Sequence, residues 1–198
     1  RKNYRVNQPA IHILLSRVYL YMENYTECIA EVKKAEQQGI QLLNMVNNLD
    51  VIANGNLYTP IAYTNPEVEW LFGPCAVANH WEYQPATAPD FRALWDQEND
   101  QRFLANCFKS QDESNTVYMQ KPNGSSQLGQ SIRSAEAFLN RMEAYALSGE
   151  EGLALSELND FRKTRIVGYS DVNLSGQALL DEIRLERRKE LCFEGHRW

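Results

Sequence analysis

The chain has 198 residues, a formal net charge of −6 and 43% hydrophobic residues, enough apolar content to bury a core and too much for a disordered or low-complexity chain. Its longest cationic block is Arg187, Arg188 and Lys189, so no basic footprint answers a phosphate backbone and nucleic acid is not expected as a partner. No apolar run approaches a membrane span and Arg1 does not open a signal-type segment, so the chain is read as cytosolic or as having its targeting segment outside these residues.

The first predicted element is a helix opened by Pro9, with Ile11, Leu14, Leu15, Val18, Tyr19 and Met22 forming one buried stripe. Asn24 followed by Glu27 predicts the cap of a second helix, whose stripe is Tyr25, Cys28, Ile29, Val32 and Ala35 and whose stop is Gly39. Joined across Glu23 and Asn24, the two helices form an antiparallel hairpin over residues 1–39. Ser16, Tyr19, Cys28 and Ala35 fall where tetratricopeptide hairpins pack closely.

Residues 40–130 are cut by Asn54-Gly55, Gly73-Pro74, Pro85, Pro89 and Pro122 to Gly124, the chemistry of turns, and read as a loop-rich insert. Val68, Trp70 and Phe72 alternate with Glu67 and Glu69, predicting a half-buried strand with solvent-facing acids, and Thr116 to Met119 predicts another. Asp90 to Trp95 predicts a short helix capped by Asp90, with Trp95 in the core. Trp70, Trp81, Trp95, Tyr58, Tyr63, Tyr83 and Tyr118 concentrate here. Long aromatic loops on a rigid frame are where binding residues gather, although any one ring can simply plug its loop onto the helices.

Residues 131–198 predict a second hairpin and a last helix. The hairpin stripe is Ala135, Phe138, Leu139, Met142 and Tyr145, then a turn at Ser148-Gly149, then Ala154, Leu158 and Phe161. Tyr145 to Ala154 repeats the step from Tyr19 to Cys28, so one unit occurs twice with the insert between. The last helix is capped at Ser175, stapled by Leu174 and Leu179, and stopped by Gly195. Glu182, Glu186 and Glu190 share one row and Arg184 and Arg188 another, so like charges face each other at i,i+4. That pattern predicts ion pairs to other helices, with Arg187 holding the helix against the second hairpin; an ordinary solvated face is the competing reading.

The four cysteines have no CxxC spacing, so a zinc site is not predicted. Cys28 and Cys192 fit buried helical positions, whereas pairing of Cys75 with Cys107 is left open. His12 and His196 read as structural, and His80 is the one histidine in an aromatic loop.

The run from Ile183 to Trp198, with Glu186-Arg187-Arg188-Lys189-Glu190-Leu191-Cys192-Phe193-Glu194-Gly195-His196-Arg197-Trp198, closely resembles the ERRxELxFEGxRW motif of SusD/RagB-type outer-membrane nutrient-binding lipoproteins. Leu14 to Tyr21 with Asn24-Tyr25, Asn65 to Trp70, Asp100-Gln101-Arg102, and Ile132 to Leu139 with Glu143 to Ala146 resemble the same family in the same order. Glu23 departs from it, standing where the hairpin turn commonly has glycine.

The resemblance implies a mainly α fold of tetratricopeptide-like hairpins, an α-α superhelix with a long insert containing short strands, of which this chain is an internal to C-terminal portion. It implies a non-catalytic, surface-exposed outer-membrane lipoprotein, anchored by a lipid outside this chain. Such a receptor captures glycans or peptides for a SusC-like TonB-dependent transporter, with no cofactor. Sugar rings need aromatic platforms beside polar partners. Asn79, His80, Trp81, Glu82 and Tyr83 supply that mixture in one turn-bounded loop, so Trp81, Tyr83, Asn79 and His80 are the expected ligand-binding residues. The alternative is a tetratricopeptide-type adaptor using its helical groove. A glycoside hydrolase would need two carboxylates across a cleft, and Glu67 with Glu69 reads more simply as strand surface.

Overall fold

A computed structural model of the protein describes residues 5–48, 65–74, 87–109, 117–119 and 128–196. The helices are α1 (Gln8–Tyr21), α2 (Tyr25–Gln37), α3 (Pro89–Arg92), α4 (Gln101–Asn106), α5 (Ser134–Leu147), α6 (Glu151–Lys163) and α7 (Gly176–Glu190). The strands β1 (Val68–Pro74), β2 (Cys107–Lys109), β3 (Val117–Met119) and β4 (Leu128–Arg133) pair as β1 with β4 and β2 with β3. The fold is mainly helical, as the sequence predicts. Asn54-Gly55, Tyr58, Tyr63, Cys75, residues 79–83, Pro85 and Pro122 to Gly124 lie outside the described residues.

Helix α1 starts one residue before Pro9, because Asn7 caps it by accepting from the Ala10 amide at 2.9 Å. The same Asn7 donates through Nδ2 to the Glu69 carbonyl at 2.8 Å, tying the helix to β1. Asn24 caps α2, accepting from the Glu27 amide at 3.4 Å, and Gly39 at φ +84° ends it. Between the helices, Glu23 adopts φ +57°, a left-handed conformation suited to glycine.

The buried face of α2 is the predicted one: Cys28, Ile29, Val32 and Ala35. That of α1 is not. Ile11, Leu14, Val18 and Met22 are 45, 38, 43 and 65% exposed, and α1 instead buries Ala10, Ile13 and Ser16. This helix carries apolar residues on two sides, and periodicity alone does not say which side meets its neighbours. The inward row is the one whose small members let helices approach closely, with Ser16 Oγ accepting from Asn140 Nδ2 on α5 at 2.8 Å and donating to the Ile13 carbonyl.

The second hairpin supplies most of the core. Ala135, Leu139, Met142, Tyr145, Ala154, Leu158 and Phe161 pack with Cys28 and Ile29 of α2 and with Leu179 and Ile183 of α7, while Phe138 packs half-buried against them. Helix α5 is the hub, touching α1, α2, α6 and α7. Truncating a leucine such as Leu139 or Leu158 to alanine in such a core costs about 2–5 kcal/mol. At α7, Ser175 holds the cap position without bonding through its side chain, and the Gly176 amide donates instead to Glu151 Oε2 at 3.1 Å. The helix ends at Glu190, short of the predicted stop, and turns through Phe193 at φ +62° and Gly195 at φ +77°. Cys192 therefore sits in that turn and not in a helix.

Strand β1 corrects the predicted alternation. Its register with β4 shifts between Val68 and Trp70, so a bulge inserts one residue at Glu69. Past the bulge the sides exchange: Val68 and Leu71 are buried together, and Trp70 and Phe72 stack at 4.7 Å against the first hairpin. Both faces are covered, and Glu67 and Glu69 are buried, not solvent-facing. Strand β3 is found where predicted, and Trp95 is in the interior. Helix α3 is capped at Ala88, with Asp90 inside the first turn, and α4, capped by Asp100, was not anticipated as a helix.

Candidate functional site

The described residues hold a buried charge cluster whose centre is Glu190, on the last turn of α7. Glu190 Oε1 accepts from Arg133 at 2.6 Å, and Oε2 accepts from Arg102 at 3.0 Å and Arg165 at 3.1 Å. Glu67, at the entry to β1, accepts from Arg165 at 2.7 Å, Arg133 at 2.9 Å and the Leu43 amide at 2.9 Å. One turn before Glu190, Glu186 accepts from Arg102 at 2.5 Å and from Arg162 at 2.7 Å. Asp100 grips Arg102 through both oxygens, and Glu194 grips Arg133 the same way. With Lys189 at 3.6 Å from Glu186, five cations face five carboxylates. The acidic row of α7 is therefore not a solvated face: each of its members meets arginines from other elements, Glu182 included, 2.6 Å from Arg162.

The electrostatics follow the geometry. Burial alone would raise the Glu186 carboxyl, but Arg102, Lys189 and Arg162 outweigh it and hold the group down at about 2. Burial opposes the charge on Arg102 as well, and Asp100 and Glu186 more than restore it. Guanidinium groups occupy these carboxylates, so the cluster works as a frame that fixes where segments sit. Nearer the surface, Arg187 donates to Glu143 at 3.0 Å and to Asn140 at 2.8 Å, binding α7 to α5 as predicted. His12 is also structural, 2.6 Å from Glu31 across the first hairpin.

Neighbouring strands hold the described segments on both sides of the expected ligand-binding loop. On one side β1 runs to Pro74 in register with β4, whose last residue is Arg133 of the cluster. On the other, Thr87 is fixed to β3 by its amide and its hydroxyl, both donating to the Val117 carbonyl at 2.8 Å. Trp81, Tyr83, Asn79 and His80 themselves, with Glu82, lie outside the described residues.

Immediately after Thr87 and Ala88 the chain borders a cleft of about 660 Å³ at the C-terminal end of α7. Phe91 and Phe193 meet edge to face at 6.4 Å, and the Arg188 guanidinium lies 5.3 Å over the Phe91 ring. His196 closes one side, its imidazole pushed below its usual value chiefly by burial. Sequence reasoning placed Arg188, Phe193 and His196 in a terminal motif without seeing that the turn at Phe193 would bring its ring to Phe91, about a hundred residues distant. Their combination of ring faces and a guanidinium suits a polyhydroxylated or anionic group. No group of three or more His, Cys, Asp or Glu side chains among the described residues could hold a metal ion.

Comparison with known proteins follows this geometry. The family model described as the SusD family matches residues 16–198. A SusD-like carbohydrate binding protein from Bacteroides vulgatus ATCC 8482 superposes with a TM-score of 0.75 at 24% identity, covering 98% of this chain and 44% of its own. A SusD superfamily protein from Bacteroides thetaiotaomicron VPI-5482 gives 0.76 at 24%, covering 98% and 49%. Surface glycan-binding protein A from Bacteroides uniformis gives 0.70 at 16%, covering 98% and 48%. The chain spans less than half the length of these three structures, and the likeness is one of fold. The comparison with curated proteins found no match.

Proposed function

The chain belongs to the SusD family, and from that premise we propose that it is part of a non-catalytic receptor that captures glycans, or peptides, at the cell surface and hands them to a SusC-like TonB-dependent transporter. The protein is held at the outer membrane by a lipid anchor outside this chain; no helix among the described residues is long and apolar enough to cross a membrane. Residues 1–39 and 131–198 serve as frame and 40–130 as the insert that meets the ligand. Carbohydrate binding by the similar protein from Bacteroides vulgatus, and glycan binding by the one from Bacteroides uniformis, support the ligand class.

The observation that carries this reading is the anchoring of the described segments on either side of residues 75–86. These flanks are tied to β4 and β3, so ligand-binding groups between them are presented from fixed stems. In this reading Trp81 and Tyr83 give ring faces to the sugar, and Asn79 and His80 bond its hydroxyls. The adaptor reading has no comparable support, since the outward face of α1 is apolar where a peptide groove would be polar. Calorimetry of the complete protein against a panel of oligosaccharides and peptides, repeated with Trp81→Ala, tests the proposal. An oligosaccharide or peptide that binds the parent and loses at least about tenfold in affinity in the variant supports it, and unchanged affinity removes this loop from the site.

A further inference from the structure

The cleft at the C-terminal end of α7 begins at Ala88, and its volume of about 660 Å³ lies within the range of sites for small molecules. Its charge runs against that of the chain. Arg184, Arg187 and Arg188 line it with Asp90 as the one acid among its described lining residues, although the protein carries a net −6. Glu143 answers Arg184 and Arg187 together, so one carboxylate serves two guanidinium groups. Arg188 has no carboxylate within ion-pair distance among the described residues. It lies instead over the Phe91 ring, a contact that positions the guanidinium and leaves its charge unneutralised. Phe193 adds a second, independent feature. At φ +62° it is strained for a residue with a Cβ, and it keeps its ring 45% exposed on the cleft wall. Strain of this kind gathers where side chains are presented to ligands. His196 also lines the cleft; burial holds its imidazole below its usual value, so it is uncharged near neutrality and able to bond a hydroxyl.

We propose that this cleft is a subsite for acidic saccharides, in which Arg188 holds the carboxylate of a uronic acid unit and the exposed Phe193 ring carries the apolar face of the sugar. The assignment rests on the receptor reading and adds to it the class of glycan. A neutral sugar leaves the charge of Arg188 unanswered, whereas a carboxylate accepts two parallel bonds from one guanidinium. A peptide carboxylate brings the same charge without the flat, hydroxyl-edged face that an exposed ring stacks against.

Calorimetry of the complete protein against a panel of uronic acid oligosaccharides, each paired with its carboxyl-reduced form, tests the assignment. At least one acidic member should bind at least about tenfold more tightly than its neutral counterpart, with an affinity that falls as sodium chloride is raised. Arg188→Gln, at an exposed position with no ion pair to lose among the described residues, should abolish that preference and leave binding of the carboxyl-reduced form as it was. Arg188→Lys keeps the charge without the fork and should restore part of the preference. Failure of every acidic member to bind, equal affinities within each pair, or a preference that survives Arg188→Gln overturns the subsite. The receptor reading is judged separately by Trp81→Ala: a neutral glycan or a peptide whose binding depends on Trp81, with no acidic preference, upholds that reading and overturns this one.

Discussion

Arg133 and Glu190 are joined twice, side chain to side chain at 2.6 Å and guanidinium to the Glu190 backbone carbonyl at 2.7 Å. The end of β4 is thereby locked to the end of α7 in both charge and position. Glu190→Gln leaves Arg102, Arg133 and Arg165 in the interior without their shared anion, and should lower stability by about 3–5 kcal/mol in urea unfolding. Glu182→Gln, on the half-exposed end of the same row, should cost no more than about 1 kcal/mol. Equal losses for the two would show that the cluster does not organise the fold.

Arg184 and Arg187 both donate to Glu143 at 3.0 Å, yet the side chain of Arg184 is 51% exposed and that of Arg187 18%. Arg187→Ala also strips Asn140 of a donor. It should lower stability by about 1–3 kcal/mol, and Arg184→Ala by less than about 1 kcal/mol. Thermal unfolding of the two variants side by side gives the comparison.

Much of the frame was legible because helical periodicity, asparagine caps and glycine stops are local. Asn24, Gly39, Gly149 and the α2, α5 and α6 stripes all fall where the sequence places them. The misses needed distant information. No local signal separates the two apolar sides of α1, since the choice is made by α2 and α5. Glu67 and Glu69 looked like strand surface because the bulge at Glu69 and the arginines over 60 residues away were invisible. The row on α7 was read correctly as seeking partners, but those partners sit at positions 102, 133, 162 and 165. The loop from Asn79 to Tyr83 was chosen by chemistry, and the structure describes its stems.

Glu23 is exposed and left-handed, at φ +57° in the turn of the first hairpin. Relief of that conformation, costing about 1–2 kcal/mol for a residue with a Cβ, outweighs the extra chain entropy of glycine, about 0.5–1 kcal/mol. Glu23→Gly should therefore raise stability by up to about 1 kcal/mol, some 2–4 °C in Tm. A lower Tm would place the strain elsewhere.

Glu157 on α6 and Glu36 on α2 share the Arg141 guanidinium, 2.7 Å from Glu157. Burial pushes the Glu157 carboxyl up to about 7; Arg141 pulls it down and Glu36 and Asp160 push it further up. The folded value lies above the ordinary 4.5, so the folded state holds this proton more tightly. Stability from this group is full below 4.5 and falls as pH rises to about 7. Glu186 has the opposite sign: its contribution is present above 4.5 and is lost as pH falls to about 2. Thermal melts should show Glu157→Gln gaining on the parent between pH 5 and 8, and a parallel pair of curves would contradict the assignment.

The charge cluster also constrains the order in which the molecule can come together. Its members are drawn from residues 67, 100, 102, 133, 162, 165, 186, 189, 190 and 194, so no early stretch contains both the cations and enough anions to neutralise them. The carboxylates of α7 and the turn after it are the last to be synthesised. A growing chain can wind its helices, yet its arginines must stay hydrated until those final acids arrive, which makes closure of the interior a late and concerted event.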